Sequence, residues 1–189
     1  MIQHFKTLLR SGIRRLLLPM FRVEVTYCQP AMTPLLERSP CLVVANHVSL
    51  LDGVLIALTS PTPLAFAVDT DYSRKSRISK CCLDLLAWLG FGDVIPMDSG
   101  SPFGMRTLMR LLKDGQSVMI FPEGRISADG HPGVIQAGMK WLLTQARVPV
   151  VPISINGAER SRIFAKAGRL WWPRIQLLFG VNHWKERVM

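Results

Sequence analysis

The sequence of 189 residues predicts an α/β fold, a largely parallel central sheet flanked by helices, with an amphipathic helix at its N-terminus. Three observations carry that expectation. Short apolar runs of strand length alternate with segments of helical period, which is the pattern of a sheet layered with helices. Two of those runs end directly in polar residues able to do chemistry, as ligand-binding strands do in open α/β sheets. The first twenty residues set an apolar stripe against arginines and lysine, with no acid before Glu24.

Taken in chain order, Phe5, Leu8, Leu9, Ile13, Leu16, Leu17 and Met20 follow the i, i+3, i+4 spacing of one helix face. Lys6, Arg10, Arg14, Arg15 and Arg22 supply the charge, and Pro19 ends or kinks the helix. Such a segment either lies in a membrane interface, cations toward the headgroups, or packs on the domain with solvated arginines opposite. The division expected is a membrane-associating helix over 1–22 and one further domain over 23–189. Val23 to Tyr27 reads as a strand, Cys41 to Ala45 as a buried strand, Ser49 to Leu58 as a helix and Leu64 to Val68 as a strand. Ser76 to Leu89 is helical in pattern, Val94 to Pro96 extended, and Phe103 to Lys113 a helix stopped by Gly115. Ser117 to Phe121 is a strand, Val134 to about Ala146 a helix, and Val150 to Ile155 and Ile175 to Phe179 complete the series.

Composition narrows the function. A hydrophobic fraction of 49% and mean hydropathy of +0.24 exclude a disordered chain. The apolar runs are shorter than the ~18 residues of a membrane span, so a soluble fold with more apolar surface than usual is expected. The net charge of +10 favours anionic partners, and the sequence carries no nucleic-acid-binding motif. Cys28, Cys41, Cys81 and Cys82 form no C-x-x-C pair, and the basic N-terminus lacks the pattern of a cleaved signal, so reduced thiols in a cytosolic compartment are expected.

The chemistry is concentrated where two strands end. After Leu42-Val43-Val44-Ala45 come Asn46-His47-Val48-Ser49-Leu50-Leu51-Asp52; after Val118-Met119-Ile120-Phe121 come Pro122-Glu123-Gly124-Arg125-Ile126-Ser127. A histidine with a carboxylate is the pairing needed for a base whose tautomer and orientation are held. In a continuous helix five residues rotate by roughly 140°, which would keep His47 and Asp52 apart. Ser49 with Asp52 has the S-x-x-D form of a capping box, which starts the helix at Ser49 and leaves His47 on non-helical chain. The plainer reading is that Asp52 only caps the helix and His47 is a hydrogen-bonded loop residue.

The run Asn46-His47-x-x-x-x-Asp52 resembles the N-H-x-x-x-x-D signature of the glycerolipid acyltransferases, the 1-acylglycerol-3-phosphate acyltransferase superfamily. Phe121-Pro122-Glu123-Gly124 is similar to that family's F-P-E-G-T-R-S block, Val151-Pro152-Ile153 to its V-P-x block, and Gly92 to Asp98, with Ile95-Pro96-Met97-Asp98, occupies the place of its second block. Within the superfamily the chain looks most like the acyltransferase half of the bacterial bifunctional 2-acylglycerophosphoethanolamine acyltransferase and acyl-carrier-protein synthetase. It has no room for the synthetase half, which implies a free-standing relative or one domain of a larger protein.

The resemblance implies transfer of a fatty acyl group from a thioester, acyl-CoA or acyl carrier protein, to a lysophospholipid hydroxyl, with no cofactor and no metal. It makes His47 the general base, Asp52 its orienting partner, and Asn46, Ser49, Phe121, Pro122, Glu123, Gly124, Arg125, Val151 and Pro152 substrate-binding. Two departures bear on the acceptor. Arg125 precedes Ile126 where the family has Thr then Arg, and the second block ends in Met97-Asp98 where the family often has arginine. Weaker phosphate clamping fits a phosphodiester such as lysophosphatidylethanolamine. The basic N-terminal helix, Arg74 to Lys80, and the tail from Arg160 to Arg174 are expected to face anionic lipid or an acidic carrier. Trp171 and Trp172 read either as interfacial anchors or as core. The expected location is the cytoplasmic face of the inner membrane, peripheral or monotopic. The rival class is a non-catalytic lipid-binding domain of the same fold.

Overall fold

The computed structural model describes residues 2–69, 84–85, 87–97 and 102–181, with side chains described from Leu8 onward except those of Asp69 and Pro102. Arg74 to Lys80, Cys81, Cys82, Asp98 and most of the helix expected from Ser76 lie outside the described residues; 84–85 and 87–88 are helical. The elements are α1 (Ile2–Met20), β1 (Val23–Tyr27), α2 (Thr33–Leu36), β2 (Leu42–Ala45), α3 (Asp52–Thr59), β3 (Leu64–Asp69) and β4 (Gly92–Met97). There follow α4 (Pro102–Lys113), β5 (Val118–Ile120), α5 (Ala137–Gln145), β6 (Val150–Asn156), a 3-10 turn (Ala158–Arg160) and β7 (Ile175–Phe179).

The strands form one seven-stranded sheet in the order β1-β7-β6-β2-β5-β3-β4. Every pairing is parallel except β6 with β7. The expectation of a largely parallel sheet therefore holds, with β1 and β7 running against the rest. Runs such as Leu42–Ala45 and Val118–Ile120 are buried at every position because helices cover both faces. On one face Val43, Ala45, Val151 and Ile153 pack with Leu55, Ile56 and Leu58 of α3; on the other Leu42, Val44 and Ile120 pack with Leu108 and Leu112 of α4 and Leu142 of α5. Pro152, an unusual residue inside a sheet, accepts from the Gly180 N–H through its carbonyl at 2.7 Å but has no N–H to return. The β6–β7 ladder stops there, its first pair being Ile153 with Phe179.

Helix α1 divides the apolar stripe between two environments. Leu9, Ile13 and Leu17 pack against the core with Leu18, whereas Leu8, Leu16 and Met20 are exposed. Two of the arginines expected to face outward turn inward instead. Arg14 Nη2 donates to the Ser60 carbonyl at 2.9 Å, and the Arg10 and Arg14 guanidinium groups lie 5.1 and 5.4 Å from the Phe91 ring centre. Among the described residues no helix is long and apolar enough to cross a membrane.

Candidate active site

The parallel strands β2 and β5 end side by side, so the segments after Ala45 and Ile120 meet at one edge of the sheet. Asn46 locks the first segment down. Its Nδ2 donates to the Ile155 carbonyl and its Oδ1 accepts from the Ile155 N–H, both at 2.8 Å, continuing the β2–β6 ladder with a side chain. Asn46 is buried in this clamp.

His47 follows directly, on non-helical chain. His47 Nδ1 lies 3.0 Å from Asp52 Oδ2, and its ring stacks on Phe121 with centres 4.0 Å apart at 15°. A carboxylate oxygen against Nδ1 makes that nitrogen the donor, and in the neutral ring the lone pair then lies on Nε2. The ring keeps 19% of its surface open while the Asp52 side chain has none. The same Oδ2 accepts the N–H groups of Val48 at 2.7 Å and Ser49 at 2.8 Å, and Ser49 Oγ accepts from the Leu51 N–H at 3.1 Å. Capping the turn and orienting His47 are thus performed by one atom. The helix itself begins at Asp52, three residues later than the S-x-x-D pattern suggests, because residues 49–51 form the turn that brings the ring back. Burial raises the Asp52 carboxyl above its ordinary range, and the donors gathered on Oδ2 act against that shift.

Glu123 lies in the loop after β5. The sequence places it in the wall that meets the acceptor, but it is only 2% exposed and both its oxygens serve backbone donors. Oε1 accepts from the His47 N–H at 3.3 Å and Oε2 from the Gly133 N–H at 2.8 Å. Burial pushes its carboxyl up, while these two bonds pull it down. The side chain braces the His47 segment against the loop after β5, and the Ser127 N–H adds a second tie to the His47 carbonyl at 2.8 Å. Gly124 adopts φ +68°, a left-handed turn closed by its N–H on the Phe121 carbonyl at 3.0 Å. Gln136 completes the loop, its N–H reaching the Pro122 carbonyl at 2.9 Å and its Nε2 the Glu123 carbonyl at 3.2 Å.

The remaining expected residues are less close to the ring. Arg125 is exposed on the loop, Pro122 is buried, and Ser49 spends its hydroxyl on the turn. Val151 is a fully buried core side chain and Pro152 sits in the sheet beside Val44, which gives both a packing place. Sequence reasoning missed Ile155, Gly133 and Gln136, whose contributions are mainly backbone groups and leave no pattern to read. Among the described residues no group of three or more His, Cys, Asp or Glu side chains is placed to hold a metal.

The site thus sets a histidine held by a buried carboxylate at one strand end beside a Pro-Glu-Gly turn at the next. A family model described as Acyltransferase matches residues 24–156, and the chain belongs to that family. It is 31% identical over 127 residues to a chloroplastic 1-acyl-sn-glycerol-3-phosphate acyltransferase of Brassica napus, covering 65% of this chain and 34% of that one. A chloroplastic enzyme of the same description from Arabidopsis thaliana is 29% identical over 127 residues, covering 65% and 33%. The chain thus matches about a third of the length of these relatives. In fold it is similar to the crystal structure of the 1-acyl-sn-glycerophosphate acyltransferase of Thermotoga maritima, with a TM-score of 0.60 at 21% identity over 92% of this chain and 68% of that one.

Proposed function

We propose that the chain transfers a fatty acyl group from an acyl thioester, on coenzyme A or acyl carrier protein, to the free hydroxyl of a lysophospholipid. The observation that carries this reading is the 3.0 Å contact of His47 Nδ1 with Asp52 Oδ2, on a ring that keeps 19% of its side-chain surface exposed. Nε2 takes the hydroxyl proton as the oxygen attacks the thioester carbonyl, and Asp52 stabilises the imidazolium that forms. Collapse of the tetrahedral adduct breaks the C–S bond, and the imidazolium returns the proton to the departing thiolate. The products are an ester and a free thiol. Because the thioester is already activated, the step needs no covalent enzyme intermediate.

The acceptor reading favours a phosphodiester headgroup such as lysophosphatidylethanolamine. Arg125 precedes Ile126 where the family has threonine then arginine, and the second block ends in Met97-Asp98 where the family often has arginine, which favours weaker clamping of a terminal phosphate monoester. That would set the chain apart from relatives named for a 1-acylglycerol 3-phosphate acceptor, and fits the acyltransferase half of the bifunctional ethanolamine lipid enzyme. The proposed setting is the cytoplasmic face of a membrane, with 1–22 as the associating helix and 23–189 as the catalytic domain. Thiol release from an acyl thioester, measured with lysophosphatidylethanolamine and 1-acylglycerol 3-phosphate in parallel, tests the reading. Faster turnover with the former is expected. Preference for the latter overturns the acceptor, and no acceptor-dependent release overturns the enzyme in favour of a lipid-binding domain.

A further inference from the structure

The pairing of β7 antiparallel to β6 and parallel to β1 puts the end of α1 and the segment from 157 to 174 at the same sheet edge as His47. Direct contacts tie this segment to both site loops. The Leu50 N–H donates to the Phe164 carbonyl at 2.8 Å, and Lys166 Nζ to the Ile126 carbonyl at 3.3 Å. It is also fastened to α1: Trp172 donates through Nε1 to the Met20 carbonyl and stacks on Phe21 with ring centres 5.9 Å apart.

What this arrangement leaves outward is apolar and cationic together. Leu16, Met20, Ile163, Leu170, Trp171 and Trp172 are all exposed, Leu16 by 67% and Trp171 by 64%. Arg15, Arg22, Arg162, Arg169 and Arg174 are exposed beside them, and the Arg162 guanidinium lies 4.7 Å from the Trp171 ring centre. The sequence from Arg160 to Arg174 contains no acid. An indole beside a guanidinium suits the headgroup level of a bilayer, where the ring is half immersed and the cation meets phosphate. A cleft lined by Phe21, Leu51, Phe164, Trp171, Trp172 and Ile175 continues this surface inward to Leu51, the neighbour of Asp52.

We infer that the Trp171–Trp172 segment, together with the outer side of α1, is a docking surface for an anionic lipid bilayer, and that it sets the His47 edge against the headgroup layer. This rests on the acyl-transfer reading only for its purpose; the surface can be measured without turnover. Both roles expected of α1 are then met at once, since Leu9, Ile13 and Leu17 hold the domain while Leu16 and Met20 meet lipid.

The test is co-sedimentation of the full chain with vesicles of phosphatidylcholine, with or without phosphatidylglycerol, alongside transfer to a short-chain soluble acceptor without vesicles. Binding about tenfold tighter to the anionic vesicles, and falling with salt, is expected. Trp171→Ala lowers binding to both vesicle types by about tenfold, while the pair Arg162→Gln and Arg169→Gln removes the anionic preference. Transfer to the soluble acceptor stays unchanged in each variant. Vesicle binding unaffected by these substitutions overturns the assignment. So does a concentration-dependent dimer that Trp171→Ala dissociates, which would make a second copy the occupant. Intact vesicle binding without transfer to any acceptor defeats the acyl-transfer reading and leaves this surface standing.

Discussion

Asp52 Oδ2 is the atom on which the site turns, because it receives His47, Val48 and Ser49 together. Replacing it by asparagine keeps the volume and an amide oxygen for the turn but removes the negative charge that steadies an imidazolium. Asp52→Asn is therefore expected to lower kcat by about 10²-fold or more with little change in KM and near-native circular dichroism. A fall confined to KM would place Asp52 in binding instead. Glu123 answers a different question. Glutamine at 123 presents an amide N–H₂ to one of the two backbone donors, so Glu123→Gln is expected to destabilise the fold by about 1–3 kcal/mol. Chemical denaturation measures that loss, and unchanged stability contradicts the bracing role. The sequence marked His47 and Asp52 as a pair but left open whether Asp52 capped a turn or oriented a ring. One oxygen doing both is a fact of three-dimensional placement that spacing does not encode.

Among the elements, β1 over Val23–Tyr27 and β7 over Ile175–Phe179 have the bounds their residue patterns predict. Boundaries shifted where loops do the work of the site. The helix expected from Val134 starts at Ala137, since Gly133 and Gln136 are drawn back to Glu123 and Pro122. The strand expected to reach Phe121 ends at Ile120, freeing that ring to stack on His47. The short α2 was not expected, four residues being too few to show a period. Asn46 and Ile155 stand 109 positions apart, so nothing local announces that the side chain extends the β2–β6 ladder. Asn46→Ala removes both of its bonds and leaves the buried Ile155 N–H and carbonyl unsatisfied. A stability loss of about 1–3 kcal/mol is expected, with slower turnover because His47 hangs from the same strand end. Loss of neither would make the clamp dispensable.

For the molecule as a whole, the apolar and charge patterns made the layered sheet legible, as did the order of the motif-bearing strands. They did not reveal that the antiparallel β6–β7 pairing carries the end of α1 and Trp171–Trp172 to the edge that holds His47. Topology of that kind depends on strand direction, which apolar periodicity does not record. His47 thus lies at the centre of this edge, with exposed apolar and cationic residues at its rim. The proposed role of His47 is to take the acceptor's proton. The most direct test is single-turnover acyl transfer from a thioester to lysophosphatidylethanolamine by the wild-type chain and by His47→Ala of matched stability. A rate lower by about 10²–10⁴-fold in the variant is predicted; equal rates in the two proteins would contradict it.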